Sequence, residues 1–246
     1  MPGIGDAWGE EEELLHPRGP DGRWITAGGI AKNIIGKVLD FLRSFRPRQF
    51  QSQGQAAQYL QNTATRQGAR RMGRLDHVRL LHDLGPANAD LRDGVIDEPS
   101  TQKFVQMMDR TSTELPDDVI LTRVVGVDAF GFTPETATGT DADNPGIRGM
   151  AGKLVADRGY GLTTIGNLEG SPPAGSVRMV IAAKKGTRVT IPAASPTDSS
   201  VLLHRDQPLR VTKVSPDGGG GWIMYVAADD TAGAHEVPEP IGGPVG

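Results

Sequence analysis

The sequence contains no cysteine, and this absence excludes two kinds of site. Without thiols the chain forms neither a disulfide framework nor a thiolate zinc centre, which favours an intracellular or virus-particle protein over a small secreted domain. Its five histidines are scattered, and none of their spacings brings two imidazoles onto one face of a helix. The sequence therefore predicts no metal site.

Long apolar runs are also missing. Nowhere are there 18 consecutive apolar residues, and residues 1–29 are acidic and lack the apolar stretch of a signal peptide. We therefore expect a soluble protein without a membrane partner. The Walker A, G-x-S-x-G and strand-associated G-x-G-x-x-G motifs are absent too. With 37% hydrophobic residues, 33 Gly and 18 Pro, the chain predicts one sizeable core with long segments outside it.

Charge is distributed unevenly along the chain. The net charge of −4 combines −4 in residues 1–29, +7 in residues 30–84 and −7 in the remainder. The middle segment has ten Lys or Arg against three Asp. This excess predicts an acidic partner for residues 30–84, either nucleic acid or a negatively charged protein surface.

Helical periodicity follows an extended leader (residues 1–29). Apolar residues recur every three or four positions from Ile30 to Phe45, which predicts an amphipathic helix that ends before Pro47. Such a helix lies on a membrane, docks in a partner groove, or packs on its own domain or on a neighbouring copy. One or two further helices are predicted between Gln49 and Leu84, ending at Gly85-Pro86. Residues 30–99 are thus predicted to form a basic helical arm.

A different pattern begins at residue 100. After a short helix from Ser100 to about Arg110, apolar and β-branched runs separated by turn residues predict a compact mixed sheet of mainly antiparallel strands over residues 100–228. The fold class is therefore α+β. The run SPDGGGG predicts a hairpin loop, Asp117-Asp118 predicts a turn, and residues 229–246 predict a disordered tail. Strands are expected near VILTRVVGV, residues 152–155, 161–165, 177–183, 201–203, 209–214 and 222–227.

A polar turn runs directly into an apolar strand in the string PTDSSVLL. This string resembles the last signature of the ADP-ribosyltransferase family of Arg-Ser-Glu type, in which Glu-x-Glu precedes Val-Leu-Leu. The resemblance puts Asp198 at the first Glu and Ser200 at the second, which is the catalytic one. In the family its carboxylate binds the nicotinamide ribose and offsets positive charge as the glycosidic bond loosens. Ser200 is neutral at any working pH, so it cannot supply that charge.

Two other strings extend the resemblance over roughly Thr101 to Ala228. In DDVILTRVVGV, Arg123 holds the place of the Arg that contacts the pyrophosphate of NAD, a task suited to a planar guanidinium. In GYGLTTIG, the family's aromatic residue and its Ser-Thr-Ser correspond to Tyr160, Leu162, Thr163 and Thr164. Leu162 replaces a hydroxyl that in the family holds the catalytic Glu, and it offers neither donor nor acceptor.

The resemblance implies one fold and two functions. The leader string HPRGPDGRW is similar to strings in minor head proteins of tailed phages, and the domain is most similar to the versions carried by actinobacterial phages. One hypothesis is a virion protein with an inactive domain and no cofactor, present in multiple copies in the phage head and in the host cytoplasm during assembly. Its basic residues 30–84 would contact portal or shell proteins or packaged DNA. The other is an active NAD-dependent mono-ADP-ribosyltransferase that modifies a host protein, with Asp198 or Glu169 supplying the carboxylate.

Overall fold

The computed structural model describes residues 44–66, 74–139, 145–166, 170–192, 199–228 and 238–241. The α-helices within these ranges are α1 (Gln53–Arg66), α2 (Arg74–Asp93), α3 (Pro99–Thr111) and the short α4 (Pro134–Ala137). Two 3-10 helices span Val127–Phe130 and Gly146–Met150. The strands are β1 (Ser112–Glu114), β2 (Val119–Gly126), β3 (Leu154–Asp157), β4 (Gly161–Ile165), β5 (Ser176–Ala183), β6 (Arg188–Thr190), β7 (Ser200–Leu203), β8 (Leu209–Pro216), β9 (Trp222–Ala228) and β10 (Glu239–Ile241).

The described strands form one sheet in the order β1-β6-β7-β4-β2-β5-β9-β8-β3-β10. Neighbours are antiparallel except for the pairs β5 with β9 and β3 with β10. The prediction of a mixed, mainly antiparallel α+β fold is confirmed. The glycine-rich run forms the predicted hairpin loop, because β8 pairs antiparallel with β9 on either side of it.

The helices before the sheet share its cores. Ala56, Tyr59 and Leu60 of α1 belong to the same buried cluster as the central strands. Leu80, Ala87 and Leu91 of α2 pack with α3, Tyr160 and Leu202 in a second cluster. Periodicity predicts which face of a helix is apolar but not what covers it. The described parts of the predicted arm (residues 30–99), helices α1 and α2, therefore pack against the sheet.

Phe45 forms a third cluster with Ile120, Val180 and Ala182, so the end of the predicted helix packs on its own domain. The rest of that helix and the leader lie outside the described residues.

At the predicted turn Asp117-Asp118, the side chain of Asp118 holds together segments that are distant in sequence. The carboxylate of Asp118 accepts hydrogen bonds from the backbone N–H groups of Arg46 (3.0 Å) and Lys185 (2.9 Å). None of the helices in the described ranges has the length and apolar character required to cross a membrane.

The prediction that Gly85-Pro86 ends a helix is wrong. Pro86 lies inside α2, which continues to Asp93. Proline removes one helical hydrogen bond and usually kinks or ends a helix. Here the following turn is held by tertiary contacts, since the amide of Asn88 donates to the Tyr160 carbonyl (2.9 Å) and accepts from the Tyr160 N–H (2.7 Å).

The prediction of a disordered tail is wrong for Glu239–Ile241. These residues form β10, which pairs in parallel with β3, and Ile241 is 1% exposed within the main core. The surrounding sequence is rich in Pro, Gly and acidic residues, which obscures a strand of three residues.

Replacing Ile241 with Ala tests the contribution of this strand. We expect the free energy of unfolding to fall by about 2–5 kcal/mol, because a buried Ile-to-Ala change removes apolar contacts and leaves a cavity. The neighbouring exposed Pro240 provides the control, since Pro240→Ala should change stability by less than about 1 kcal/mol. Urea unfolding measures both free energies. A loss for Ile241→Ala as small as that for Pro240→Ala would show that this strand does not contribute to the core.

Candidate functional site

The three motif strands lie side by side at the centre of the sheet. β4 pairs antiparallel with β2 on one side and with β7 on the other. Thr164 is the register partner of both Thr122 and Ser200. Residues directly opposite each other in antiparallel strands project from the same face, so these three hydroxyl side chains form a row on one face.

Leu162 lies on the same face as this row, two residues before Thr164. Its side chain is 54% exposed, and Val124 on the neighbouring strand is 42% exposed, whereas Ser200 and Thr164 are partly buried. Leu162 is a diagonal neighbour of Ser200 across β4 and β7. The positions expected for the family's first Ser and catalytic Glu are therefore together, but they present an apolar side chain and an alcohol.

Arg123 and Thr163 project from the opposite face, since each is adjacent in sequence to a member of the hydroxyl row. The Thr163 hydroxyl donates to the backbone carbonyl of Val201 (2.8 Å) and is 1% exposed, so it connects β4 to β7. Arg123 is 9% exposed, and its Nη1 donates to Oδ2 of Asp157 (3.0 Å). The structure thus brings Leu162, Thr164 and Ser200 together but separates Arg123 from them.

Asp157 accepts hydrogen bonds from two arginines. Arg92 of α2 donates to it through Nε (3.0 Å) and Nη2 (2.9 Å), in addition to the bond from Arg123. The Asp157 side chain is 8% exposed. Burial alone would raise the pKa of this carboxyl group. The hydrogen bond from Arg92, the positive charges of Arg123 and Arg92, and the N–H of Gly159 instead lower it below its usual value. We call Arg92, Arg123 and Asp157 the buried triad.

Tyr160 is a core residue, although the sequence predicts it at a cofactor site. It is 1% exposed, and its ring meets those of Phe104 and His204 edge-on at 5.8 and 5.4 Å. Burial raises the pKa of its phenol to about 12.

Asp198 and Glu169, the predicted carboxylates, lie outside the described residues. In the described ranges, no group of three His, Asp or Glu side chains is arranged to hold a metal ion.

Sequence reasoning missed Asp157 and Arg92. Asp157 follows the apolar run Leu154-Val155-Ala156 and comes shortly before a glycine, which indicates a strand end but not a partner. Arg92 lies beyond the expected end of its helix. The pairing joins residues 65 positions apart, so it depends on the tertiary fold.

The triad predicts an acid-sensitive contribution to stability. The pKa of Asp157 is lowered by folding, so its stabilisation is present above the unfolded pKa of about 4 and disappears as pH falls through the folded pKa. Asp157→Asn should cost about 3–5 kcal/mol at neutral pH, since it leaves the buried Arg123 and the partly buried Arg92 without their shared anion. This cost should shrink as the pH is lowered from neutral through the unfolded pKa of about 4 towards the lower folded pKa. Urea unfolding across this range measures it, with the exposed Asp93→Asn as control, and a cost independent of pH would contradict the assigned charge.

No protein-family model and no curated protein matches the sequence, but solved structures resemble the fold. C3stau2 from S. aureus, determined with NAD, is 17% identical over 75% of this chain and 99% of its own, with a TM-score of 0.56. An ADP-ribosyltransferase from Clostridium botulinum is 15% identical over 74% and 98%, with a TM-score of 0.52. C3larvin toxin, an ADP-ribosyltransferase from Paenibacillus larvae, is 17% identical over 69% and 93%, with a TM-score of 0.53. The chain therefore has the ADP-ribosyltransferase fold.

Proposed function

We propose that this chain is a structural protein of a bacteriophage head whose ADP-ribosyltransferase-like domain no longer transfers ADP-ribose. The observation that supports the loss of activity is Ser200 in register with Thr164, because the resemblance assigns the position of Ser200 to the catalytic carboxylate. A positioned acid-base group contributes about 10² to 10⁴ in rate. One preorganised electrostatic contact contributes about 3–4 kcal/mol. An alcohol carries no charge to stabilise the positive charge that develops on the ribose.

The neighbouring residues support the same conclusion. Leu162 offers no hydroxyl on the face where Ser200 lies, and Arg123 is engaged by a buried carboxylate. In this proposal Ser200 and Leu162 therefore differ from the family's residues, and Arg123 is already bound to Asp157. In this proposal the domain binds other virion proteins and needs no cofactor.

The assignment to a phage head draws on the leader string and the charge distribution. HPRGPDGRW is similar to strings in minor head proteins of tailed phages, and residues 30–84 carry a charge of +7. This segment would contact packaged DNA or acidic surfaces of portal or shell proteins, with several copies in each particle. The protein would pass through the host cytoplasm during assembly.

An active NAD-dependent mono-ADP-ribosyltransferase that modifies a host protein is the second candidate. Two of the similar structures are ADP-ribosyltransferases and a third was determined with NAD, which supports it. In this candidate Asp198 or Glu169 supplies the carboxylate. The two candidates share one fold and differ in the chemistry of a single surface.

Restoring the missing groups distinguishes these candidates. We expect no NAD hydrolysis by the natural chain and no transfer of labelled ADP-ribose to host proteins. The double substitution Leu162→Ser with Ser200→Glu should produce detectable NAD hydrolysis, because it returns the hydroxyl and the carboxylate to one face. Ser215→Glu on β8 controls for adding a carboxylate elsewhere on the sheet.

Hydrolysis of NAD by the natural chain would reject the inactive domain in favour of the second candidate. A silent double variant would show that the missing hydroxyl and carboxylate are not what prevents the reaction.

Salt dependence tests DNA as the partner of the basic segment. The full chain should bind random double-stranded DNA with an affinity whose logarithm falls linearly with the logarithm of salt concentration. Replacing Lys32, Lys37 and Arg43 with Gln should flatten the slope by about 0.9 for each lost phosphate contact. The control is Lys103→Gln, outside this segment, which should leave the slope unchanged. Fluorescence anisotropy measures this slope. If the affinity does not depend on salt concentration, DNA is rejected as the partner and head proteins remain.

A further inference from the structure

Strand β5 is buried on both of its faces. All eight of its residues are buried, although successive side chains point to opposite faces of a strand. On one face Met179 and Ile181 belong to the main core. On the other face, which we call the outer face, Val180 and Ala182 are 3% and 0% exposed. β5 also pairs in parallel with β9, and parallel strands are typically covered on both faces. The outer face therefore needs a layer packed on it.

Phe45 provides one part of this layer. It is 7% exposed and packs with apolar residues of β2 and β5. In the described ranges it is the member of this cluster that comes from outside the sheet. Ile223 and Tyr225 of β9 lie against the same cluster but are only partly buried. The apolar surface thus continues from Phe45 across β9.

Hydrogen bonds show the direction from which the chain reaches Phe45. The N–H of Arg48 donates to the carbonyl of Asp118, directly before β2 (2.8 Å). The Ser44 hydroxyl accepts from Nζ of Lys184, directly after β5 (3.0 Å). Traced backwards, the chain therefore passes from β2 to β5, and the next strand of the sheet is β9. Ser44 itself has α-helical backbone.

The sequence before Ser44 matches this surface. Apolar residues recur at every fourth position and end three residues before Phe45, so one helical face carries all of them: Ile30, Ile34, Val38 and Leu42. We call these four residues the apolar stripe. As a helix, residues 30–42 extend for about 18 Å, which equals the width of about four strands. The stripe is thus long enough to cross β9.

We infer that residues 30–42 of the same chain form the layer on the outer face, with the apolar stripe covering Ile223 and Tyr225 beside Phe45. This docking leaves Lys32 and Arg43 on the opposite side of the segment, towards solvent. The inference goes beyond the proposed function, because it defines which side of the basic segment meets an acidic partner. It holds whether or not the chain transfers ADP-ribose.

A single introduced thiol reports this cover, because the chain has no cysteine of its own. Ile223→Cys should react with a maleimide about tenfold faster once Ile34→Glu and Val38→Glu are added, since a charged stripe is too costly to bury on an apolar face. The matched control, Asn33→Glu with Gly36→Glu, adds the same charge on the opposite side of the segment. It should leave the rate unchanged.

A thiol in the main core separates loss of the cover from unfolding. Ala183 on the other face of β5 is 0% exposed, so Ala183→Cys should stay unreactive in both glutamate variants. An unchanged rate for Ile223→Cys would overturn the inference, as would an equal increase in the control with Asn33→Glu and Gly36→Glu.

Crosslinking needs no glutamates, so it decides the question even if they unfold the chain, and it identifies the occupant. A short bismaleimide should join Leu42→Cys to Tyr225→Cys within one chain, and intact mass should show a crosslinked monomer at every protein concentration. Asn33→Cys, on the opposite side of the segment, is the control and should not be joined to Tyr225→Cys. Crosslinked dimers alone would assign the outer face to a second copy, and no crosslink would assign it to another partner. Either result would overturn the inference.

Discussion

The carboxylate of Asp157 is the contact on which the arrangement of this domain most depends. It joins the end of α2, the middle of β2 and the turn between β3 and β4 through four hydrogen bonds. Arg123 is buried and Arg92 is partly buried, so Arg123 in particular needs a nearby negative charge. Without Asp157 the buried Arg123 and the partly buried Arg92 would repel each other, and α2 and the sheet would lose a shared anchor.

This contact also separates the residues that the ADP-ribosyltransferase resemblance groups together. Strand alternation puts Arg123 on one face and Ser200 on the other, and the triad holds Arg123 there. The second face presents hydroxyl groups beside the exposed Leu162. Other residues of the same strands hold the sheet together, since Thr163 bonds to the Val201 carbonyl and Val201 and Leu203 fill the core. Fold and chemistry therefore depend on different residues of the same strands.

Patterns within single segments predicted much of this structure. Alternating β-branched runs indicated strands whose observed bounds differ by a few residues, and the glycine run indicated the hairpin between β8 and β9. The errors arise where distant contacts override local preference. Pro86 stays inside a helix because Asn88 is bound to Tyr160, and Ile241 joins a strand because β3 offers an edge. In the site, the resemblance implies that the positions of Leu162 and Ser200 lie close together, whereas the triad joins three separate segments that no local pattern relates.

The energetics of the two faces differ, so substitutions on one face affect the stability of the fold less than substitutions on the other. A buried ion pair adds little net stability compared with apolar residues, but losing one member leaves an unpaired buried charge and costs about 3–5 kcal/mol. Substitutions at exposed positions such as Leu162 usually change stability by about 0.5 kcal/mol or less. Stability therefore constrains Asp157 and its arginines strongly and Leu162 weakly. The face that carries the triad therefore holds the shape of the sheet, whereas the face that carries Leu162 tolerates substitution at little cost in stability.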